Sequence, residues 1–260
     1  LSVILAVDIG NSNTVIGLFD ENNLKFTVRW QTNIAETEDE LQMKLSYIAE
    51  KYNIKQIDDA IIGSVVPDAE EAIGCAIKEF FSIENPLLVK PGIKTGIKIL
   101  YDNPKEVGAD RILNAVAIYD EFRKPSIVVD FGTAITFDVV SGDGDYLGGI
   151  IAPGIHIASF ALFSKTAKLP HVSFGKPSSV VGKNTVDSIK SGLYYGYGSM
   201  IDGLIKTIIT DQGFNRCVVA STGGGAGIFS DCSKLIKYNR PNLTLTGLKI
   251  LYERNRENQP

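Results

Sequence analysis

A five-residue pattern occurs twice, as Val7-Asp8-Ile9-Gly10-Asn11 and, 122 residues later, as Val129-Asp130-Phe131-Gly132-Thr133. In each copy a short β-branched run leads to the aspartate, Val3–Val7 and Ser126–Asp130. A second run rich in Thr and Val follows the glycine, Thr14–Phe19 and Thr133–Val140. Each copy therefore predicts a buried strand, a tight turn and an antiparallel partner. One Asp-x-Gly alone reads as an ordinary turn. Its recurrence within one chain predicts a duplicated domain.

The remaining segments fit that plan. A turn at 20–23 leads to a third strand, Phe26–Trp30. Thr37 and Glu40 form a capping box ahead of a helix whose Leu41, Leu45, Ile48 and Tyr52 share one face. A strand at 60–66, a helix at 70–81 and a strand at 87–90 complete the first half. The second half predicts a helix at 109–122, a turn at 141–145, a third strand at 146–151, a long helical region at 185–211, a strand at 217–221 and a helix at 225–236. Strands followed by alternating helices and strands define an α/β chain. The boundary falls near 105–111, which gives segments 1–105 and 106–260. The uncharged stretch 146–164 contains Gly148, Gly149, Pro153 and Gly154, so it reads as strand, turn and buried helix, not as a membrane span.

Lys and Arg number 26 against 30 Asp and Glu, with a pI near 5.3, so no global basic field exists for a nucleic-acid partner. Residues 1–7 lack a basic n-region and read as the first strand, not a signal peptide. Cys75, Cys217 and Cys232 have unrelated spacings and read as buried reduced thiols. The expectation is a cytoplasmic protein with no membrane partner. His156 and His171 do not make a histidine metal cage. No G-x-G-x-x-G follows a strand. Gly182-Lys183-Asn184-Thr185 is similar to the end of a Walker loop, but Pro177 replaces its first glycine and Asn184 its hydroxyl residue.

The repeated turn has a physical use. Gly10 and Gly132 let a phosphate approach the backbone, and successive amides there form an anion-binding concavity. Asn11, Ser12, Asn13 and Thr14 add neutral donors in the first copy, Thr133 and Thr136 in the second. Asp8 and Asp130 repel phosphate but suit a cation that bridges to it, such as magnesium through its waters. A third glycine cluster, Ser221-Thr222-Gly223-Gly224-Gly225-Ala226, reads either as a backbone surface for a flat ligand or as a plain strand-to-helix turn. Together these features point to a nucleotide.

The same residues resemble the nucleotide-binding core shared by acetate and sugar kinases, Hsp70 and actin. That resemblance implies duplicated ribonuclease H-like (actin-like ATPase) domains with a nucleotide cleft between them. Within this superfamily, Asp8-Ile9-Gly10-Asn11-Ser12-Asn13-Thr14, Gly108-Ala109-Asp110-Arg111, Asp130-Phe131-Gly132-Thr133-Ala134, Gly182-Lys183-Asn184-Thr185 and Thr222-Gly223-Gly224 resemble, in order, the motifs of type III pantothenate kinases. The resemblance implies phosphorylation of the primary hydroxyl of pantothenate by ATP, the first step of coenzyme A synthesis. It also implies magnesium, a monovalent cation (potassium or ammonium) and a homodimer. By the same carry-over, Asp8, Ile9, Gly10, Asn11, Ser12, Asn13, Thr14 and Val15 hold the ATP phosphates and Thr133 touches ATP. Asp130 ligates the monovalent cation and Asp110 is the general base. Tyr101, Gly108, Ala109, Asp110, Arg111 and Thr185 line the pantothenate site. Ser12 stands where the family more often has Thr and keeps the hydroxyl.

The chemistry of these residues agrees, although each has a plainer reading. Phosphoryl transfer asks mainly for positioning and charge neutralisation, and a hydroxyl acceptor benefits from a nearby carboxylate. Asp110 fits that role; it also reads as a helix N-cap. The Arg111 fork suits a substrate carboxylate, or an ordinary solvated or ion-paired position. Asp130 also reads as the cap of its own turn, and Tyr101 as half-buried packing. Gly192, Gly196 and Gly203 each weaken a helix by ~1 kcal/mol relative to alanine, and their spacing suits close packing across a dimer. Two other functions fit the same residues: a kinase for another small hydroxyl compound, and a non-catalytic ATP-binding accessory regulator.

Overall fold

The computed structural model describes residues 2–256; Leu1, included in the first-strand expectation, lies outside the described residues. The elements are β1 (Val3–Ile9), β2 (Asn13–Asp20), β3 (Asn23–Gln31), α1 (Glu38–Lys51), β4 (Asp59–Ser64), α2 (Pro67–Phe81), β5 (Leu87–Leu88), α3 (Ala109–Phe122), β6 (Ser126–Phe131), β7 (Ala134–Val140), β8 (Tyr146–Pro153), α4 (Ile155–Ser164), α5 (Thr185–Ser191), α6 (Tyr197–Asp211), β9 (Val218–Thr222), α7 (Ala226–Phe229), β10 (Tyr238–Asn239) and α8 (Leu243–Arg256). They build two five-stranded sheets, ordered β3-β2-β1-β4-β5 and β8-β7-β6-β9-β10. In both, the first strand of the half is central, antiparallel to the next strand and parallel to the fourth. The duplication legible in the Asp-x-Gly turns is thus a duplication of topology.

The described residues divide into two compact units, 2–117 with 243–256, and Ile118–Asn242. The division falls inside α3, and α8 belongs with the first unit. A single cut near residue 105 would assign α8 to the second half instead. In the first unit, alternate residues of the sheet enter two cores. Leu5, Val7, Ile9, Ala60 and Ile62 face Leu41 and Leu45 of α1 and Ile73 and Ile77 of α2. Ile4, Ala6 and Ile61 face Leu113 and Val116 of α3 and Leu245, Leu248 and Leu251 of α8. Buried on both faces, the central strands read as continuous apolar runs. In the second unit, Ile127, Val129, Phe131, Ile135, Phe137 and Val139 form a core with Ile201, Ile205 and Ile208 of α6.

Several local expectations change. α8 carries no strong sequence signal, because its Leu243, Leu245, Leu248 and Leu251 are interspersed with polar residues; it forms against the sheet. The helix expected at 225–236 stops at Phe229. Beyond it, the Asp202 carboxylate of α6 accepts the Ser233 hydroxyl at 2.6 Å and the amides of Lys234 and Leu235 at 3.1 and 3.3 Å, which gives those amides partners outside a helix. The long region 185–211 is helical throughout but passes through a π turn at Gly192–Gly196, where the glycines cluster. α4 is not the buried helix expected: only Ile155 and Ser159 are buried, while Phe160 is 59% exposed and Ile157 and Phe163 are exposed as well. Cys75 is likewise exposed on α2, against the expectation of a buried thiol. Cys217 and Cys232 are partly buried, and burial pushes their thiols up to about 12 and about 11. Among the described residues, no helix is long and apolar enough to cross a membrane.

Leu248 is fully buried between the first sheet and α3. Leu248→Ala is expected to lower unfolding stability by about 2–5 kcal/mol, the usual cost of an unfilled leucine site, measured by urea titration.

Candidate active site

In the first unit, β1 delivers Asp8 and then a turn. Asp8 alternates with Ile4 and Ala6 and so lies on the α3 face of the sheet, in register with Gly63 of β4. The turn closes when the Gly10 amide donates to the Asn13 carbonyl at 3.0 Å. A side chain at Gly10 would press on that carbonyl. Asn11, Ser12 and Asn13 are exposed around the turn, Val15 is half-buried and Ile9 is buried in the core. Ile9 therefore offers the turn its backbone and not its side chain.

Thr14 is 0% exposed, and its hydroxyl lies 3.0 Å from that of Thr32. Its place is beneath the turn, where it gives a ligand no accessible hydroxyl. Thr32, which the sequence reading missed, holds the turn from the end of β3. Its hydroxyl donates to the Gly10 carbonyl at 2.7 Å and its amide to the Ser12 carbonyl at 3.0 Å. Two carbonyls of the turn are thereby engaged on the protein side, which suits a turn that presents amides to an anion. Nothing in the sequence near Thr32 signals this role, since the pairing is set by β2–β3 register.

Gly108–Arg111 open α3 at the same end of this unit. The Val65 amide extends the β1–β4 ladder by donating to Ile9 at 3.0 Å, and a side chain at Gly108 would meet both Val65 and the Asp110 carboxylate. Asp110 is inside the first helical turn and is not its N-cap; its Oδ1 accepts the Arg111 amide at 2.8 Å. Burial raises its pKa above the ordinary aspartate value, partly offset by that amide and by the Arg111 charge. Arg111 is only 7% exposed, so it is not the solvated arginine of the plainer reading. Tyr101 is half-buried in the irregular stretch before α3.

In the second unit, Asp130 is the penultimate residue of β6, on the face opposite the core, with Thr136 and Thr222 as its neighbours in register. Gly223, at φ +88, lies against it: a Cβ there would collide with Asp130 Oδ1. The Asp130-Phe131-Gly132 turn and the glycine cluster at 221–226 thus meet at one carboxylate, and only glycine fits at 223. Its Gly132 amide donates to Ala134 at 3.0 Å, so two residues connect β6 to β7 where three connect β1 to β2. Thr133 is exposed on that turn. Thr185 is the exposed first residue of α5, capped by Asn184, whose Oδ1 accepts the Asp187 amide at 2.9 Å. Thr185 stands on a different element from Asp130 and Thr133.

A duplicated α/β topology with an Asp-x-Gly turn at the end of each central strand defines an actin-like ATPase fold. Solved structures agree on the fold: component A of (R)-2-hydroxyglutaryl-CoA dehydratase from Acidaminococcus fermentans matches at TM-score 0.54 and 12% identity, over 95% of both chains. A ROK hexokinase from Thermus thermophilus matches at TM-score 0.50 and 12% identity, over 96% of this chain and 97% of the other. Sequence comparison is more specific. Residues 4–207 match the type III pantothenate kinase family. A type III pantothenate kinase from Syntrophobacter fumaroxidans is 47% identical, over 98% of this chain and 100% of its own. The chain belongs to the type III pantothenate kinase family and so to the phosphotransferases.

Thr32→Val is expected to leave the fold intact and to raise the KM for ATP roughly tenfold, the effect of losing about one net hydrogen bond beneath the turn. Steady-state kinetics with circular dichroism of the same sample checks both parts.

Proposed function

We propose that this chain transfers the γ-phosphoryl group of ATP to the primary hydroxyl of pantothenate, giving 4'-phosphopantothenate at the start of coenzyme A synthesis. The observation that carries the reading is the placement of Asp110: a desolvated carboxylate at the start of α3, at the same end of its unit as the Gly10 turn. The turn 8–15 holds the phosphates through backbone amides and the exposed side chains of residues 11–13. Thr133 contributes a hydroxyl to the nucleotide. Arg111, buried beside Asp110, supplies a planar fork for the pantothenate carboxylate. Tyr101, Gly108, Ala109 and Thr185 complete the acceptor site.

Asp110 takes the hydroxyl proton as the acceptor oxygen bonds to the γ-phosphorus and the bond to the β-phosphate oxygen breaks, releasing ADP. Asp8 is a hard oxygen donor at the strand end and would hold magnesium through its waters. Asp130, whose Oδ1 lies beside the Gly223 backbone where no side chain fits, would hold the monovalent cation, potassium or ammonium. Bound there, these cations would neutralise phosphate charge. The two ATPase halves follow the two compact units, with the boundary inside α3 and α8 returned to the first half, in place of the single cut between 1–105 and 106–260. A homodimer belongs to the same reading, supported by the exposed apolar residues Ile157, Phe160 and Phe163 of α4 and by the open space beside Gly192, Gly196 and Gly203. Three reduced cysteines suit a cytoplasmic setting.

ADP release by the purified chain with ATP, magnesium and potassium is expected only when pantothenate is added. Release without that dependence, in protein that binds ATP, would favour a different acceptor or an accessory regulator. Asp110→Asn is expected to keep ATP binding and to lose about 10²–10⁴-fold in kcat. The base must be ionised, so its raised pKa moves the acid limb of the wild-type kcat profile above the ordinary aspartate value. An acid limb unchanged in Asp110→Asn would refute the assignment. Asp130→Ala is expected to abolish activation by potassium, read from ADP release over a potassium titration.

A further inference from the structure

The second sheet carries a carboxylate that the site above leaves without a role. Asp138 of β7 is 0% exposed. Ile135, Phe137 and Val139 of that strand enter the unit's core, so Thr136 and Asp138 lie on the opposite face, the face of Asp130. Tyr146, itself fully buried, donates its hydroxyl to Asp138 Oδ1 at 3.1 Å. Thr136 donates its hydroxyl to Asp138 Oδ2 at 3.5 Å, a long bond. Thr136 is directly opposite Asp130 in the β6–β7 register, where side chains approach to roughly 5 Å between Cβ atoms. A polar line therefore runs Tyr146, Asp138, Thr136, Asp130 along one face, ending where Gly223 abuts Asp130.

Burying a carboxylate in a sheet costs more than burying an apolar side chain of the same size. The direction of the line gives it a use. Each oxygen of Asp138 faces a hydroxyl donor, Tyr146 on Oδ1 and Thr136 on Oδ2, so the Thr136 proton is directed to Asp138. A threonine hydroxyl has one proton and two lone pairs. With the proton turned to Asp138, Thr136 presents lone pairs toward Asp130. Without Asp138, Thr136 would turn its proton to Asp130 and occupy one of the oxygens a cation needs.

We propose that Thr136 is a further oxygen ligand of the monovalent cation beside Asp130, and that Asp138 is the positioning residue that holds Thr136 as an acceptor. The proposal rests on the reading of Asp130 as that cation's carboxylate.

The test is a potassium titration at constant ionic strength, read in two ways: thermal unfolding of the resting protein, and ADP release with ATP, magnesium and pantothenate. The expected result is a potassium midpoint at least about tenfold higher in both readouts for Thr136→Val and for Asp138→Asn, with Thr136→Ser restoring the wild-type midpoint. Should Asp138→Asn not fold, the contrast between Thr136→Val and Thr136→Ser decides. Wild-type midpoints in Thr136→Val, while Asp130→Ala loses its potassium response, would overturn this proposal and spare the reading of Asp130. A Thr136→Ser midpoint as high as that of Thr136→Val would also overturn it, because packing and not the hydroxyl would be at work. A potassium response that survives in Asp130→Ala would remove the reading of Asp130 and this proposal with it.

Discussion

The seat of α3 on the first sheet fixes where Asp110 stands, and two glycines make that seat. A Cβ at Gly63 of β4 would stand 3.0 Å from Leu113 Cδ1, and one at Gly247 of α8 would collide with the Leu113 carbonyl. Leu113 is thus gripped by a strand from the first half and by a helix from the far end of the chain. Asp110 is one helical turn away, and Gly63 is the register partner of Asp8. A side chain at Gly247 would push on the backbone of α3, whereas one at Gly63 would ask the methyl ends of Leu113 and Leu248 to give by a few tenths of an ångström. For the proposed role of Asp110, a misplacement of about 1 Å can cost 10²-fold in rate, which ties that role to the packing of Gly247 against Leu113.

The two halves keep the same strand order and have diverged at the same point. Each central strand ends in an aspartate and a glycine turn. In the first half the turn is one residue longer, carries exposed polar side chains and is held from below by Thr32. In the second the turn is tight, and the half-buried aspartate is flanked by Gly223 and by Thr136 of the polar line. The same strand-end device is a longer turn with exposed polar side chains in one copy and a tight turn beside a glycine-abutted carboxylate in the other. The proposed phosphoryl transfer would use both, since phosphate needs donors and its charge needs a counter-ion.

Much of this was legible in the sequence because it rests on local signals. The capping box of Thr37 and Glu40 is formed as read, and α3 begins and ends at the expected residues. The β1–β2 and β6–β7 hairpins follow from alternation and turn chemistry. What was not legible depends on partners distant in sequence. α8 needs the sheet face that buries Leu245, Leu248 and Leu251. The early stop of α7 is accompanied by the Asp202 carboxylate bonding to the backbone thirty-odd residues on. Thr14 looked like a ligand donor from its place in the motif, yet strand alternation buries it against Thr32. Asp138 passed unnoticed because an aspartate within an apolar strand has no meaning until its face and its neighbours are known.

The cysteines carry a practical consequence. Thiol reagents attack the thiolate, and partial burial holds Cys217 and Cys232 almost wholly protonated at neutral pH. Cys75 is exposed on α2, in the unit that carries the Gly10 turn and Asp110. The native chain thus offers one accessible attachment point for a fluorophore or spin label, with no cysteine to remove. A dye there would report on the α2 side of the first sheet, across that sheet from the helix bearing Asp110.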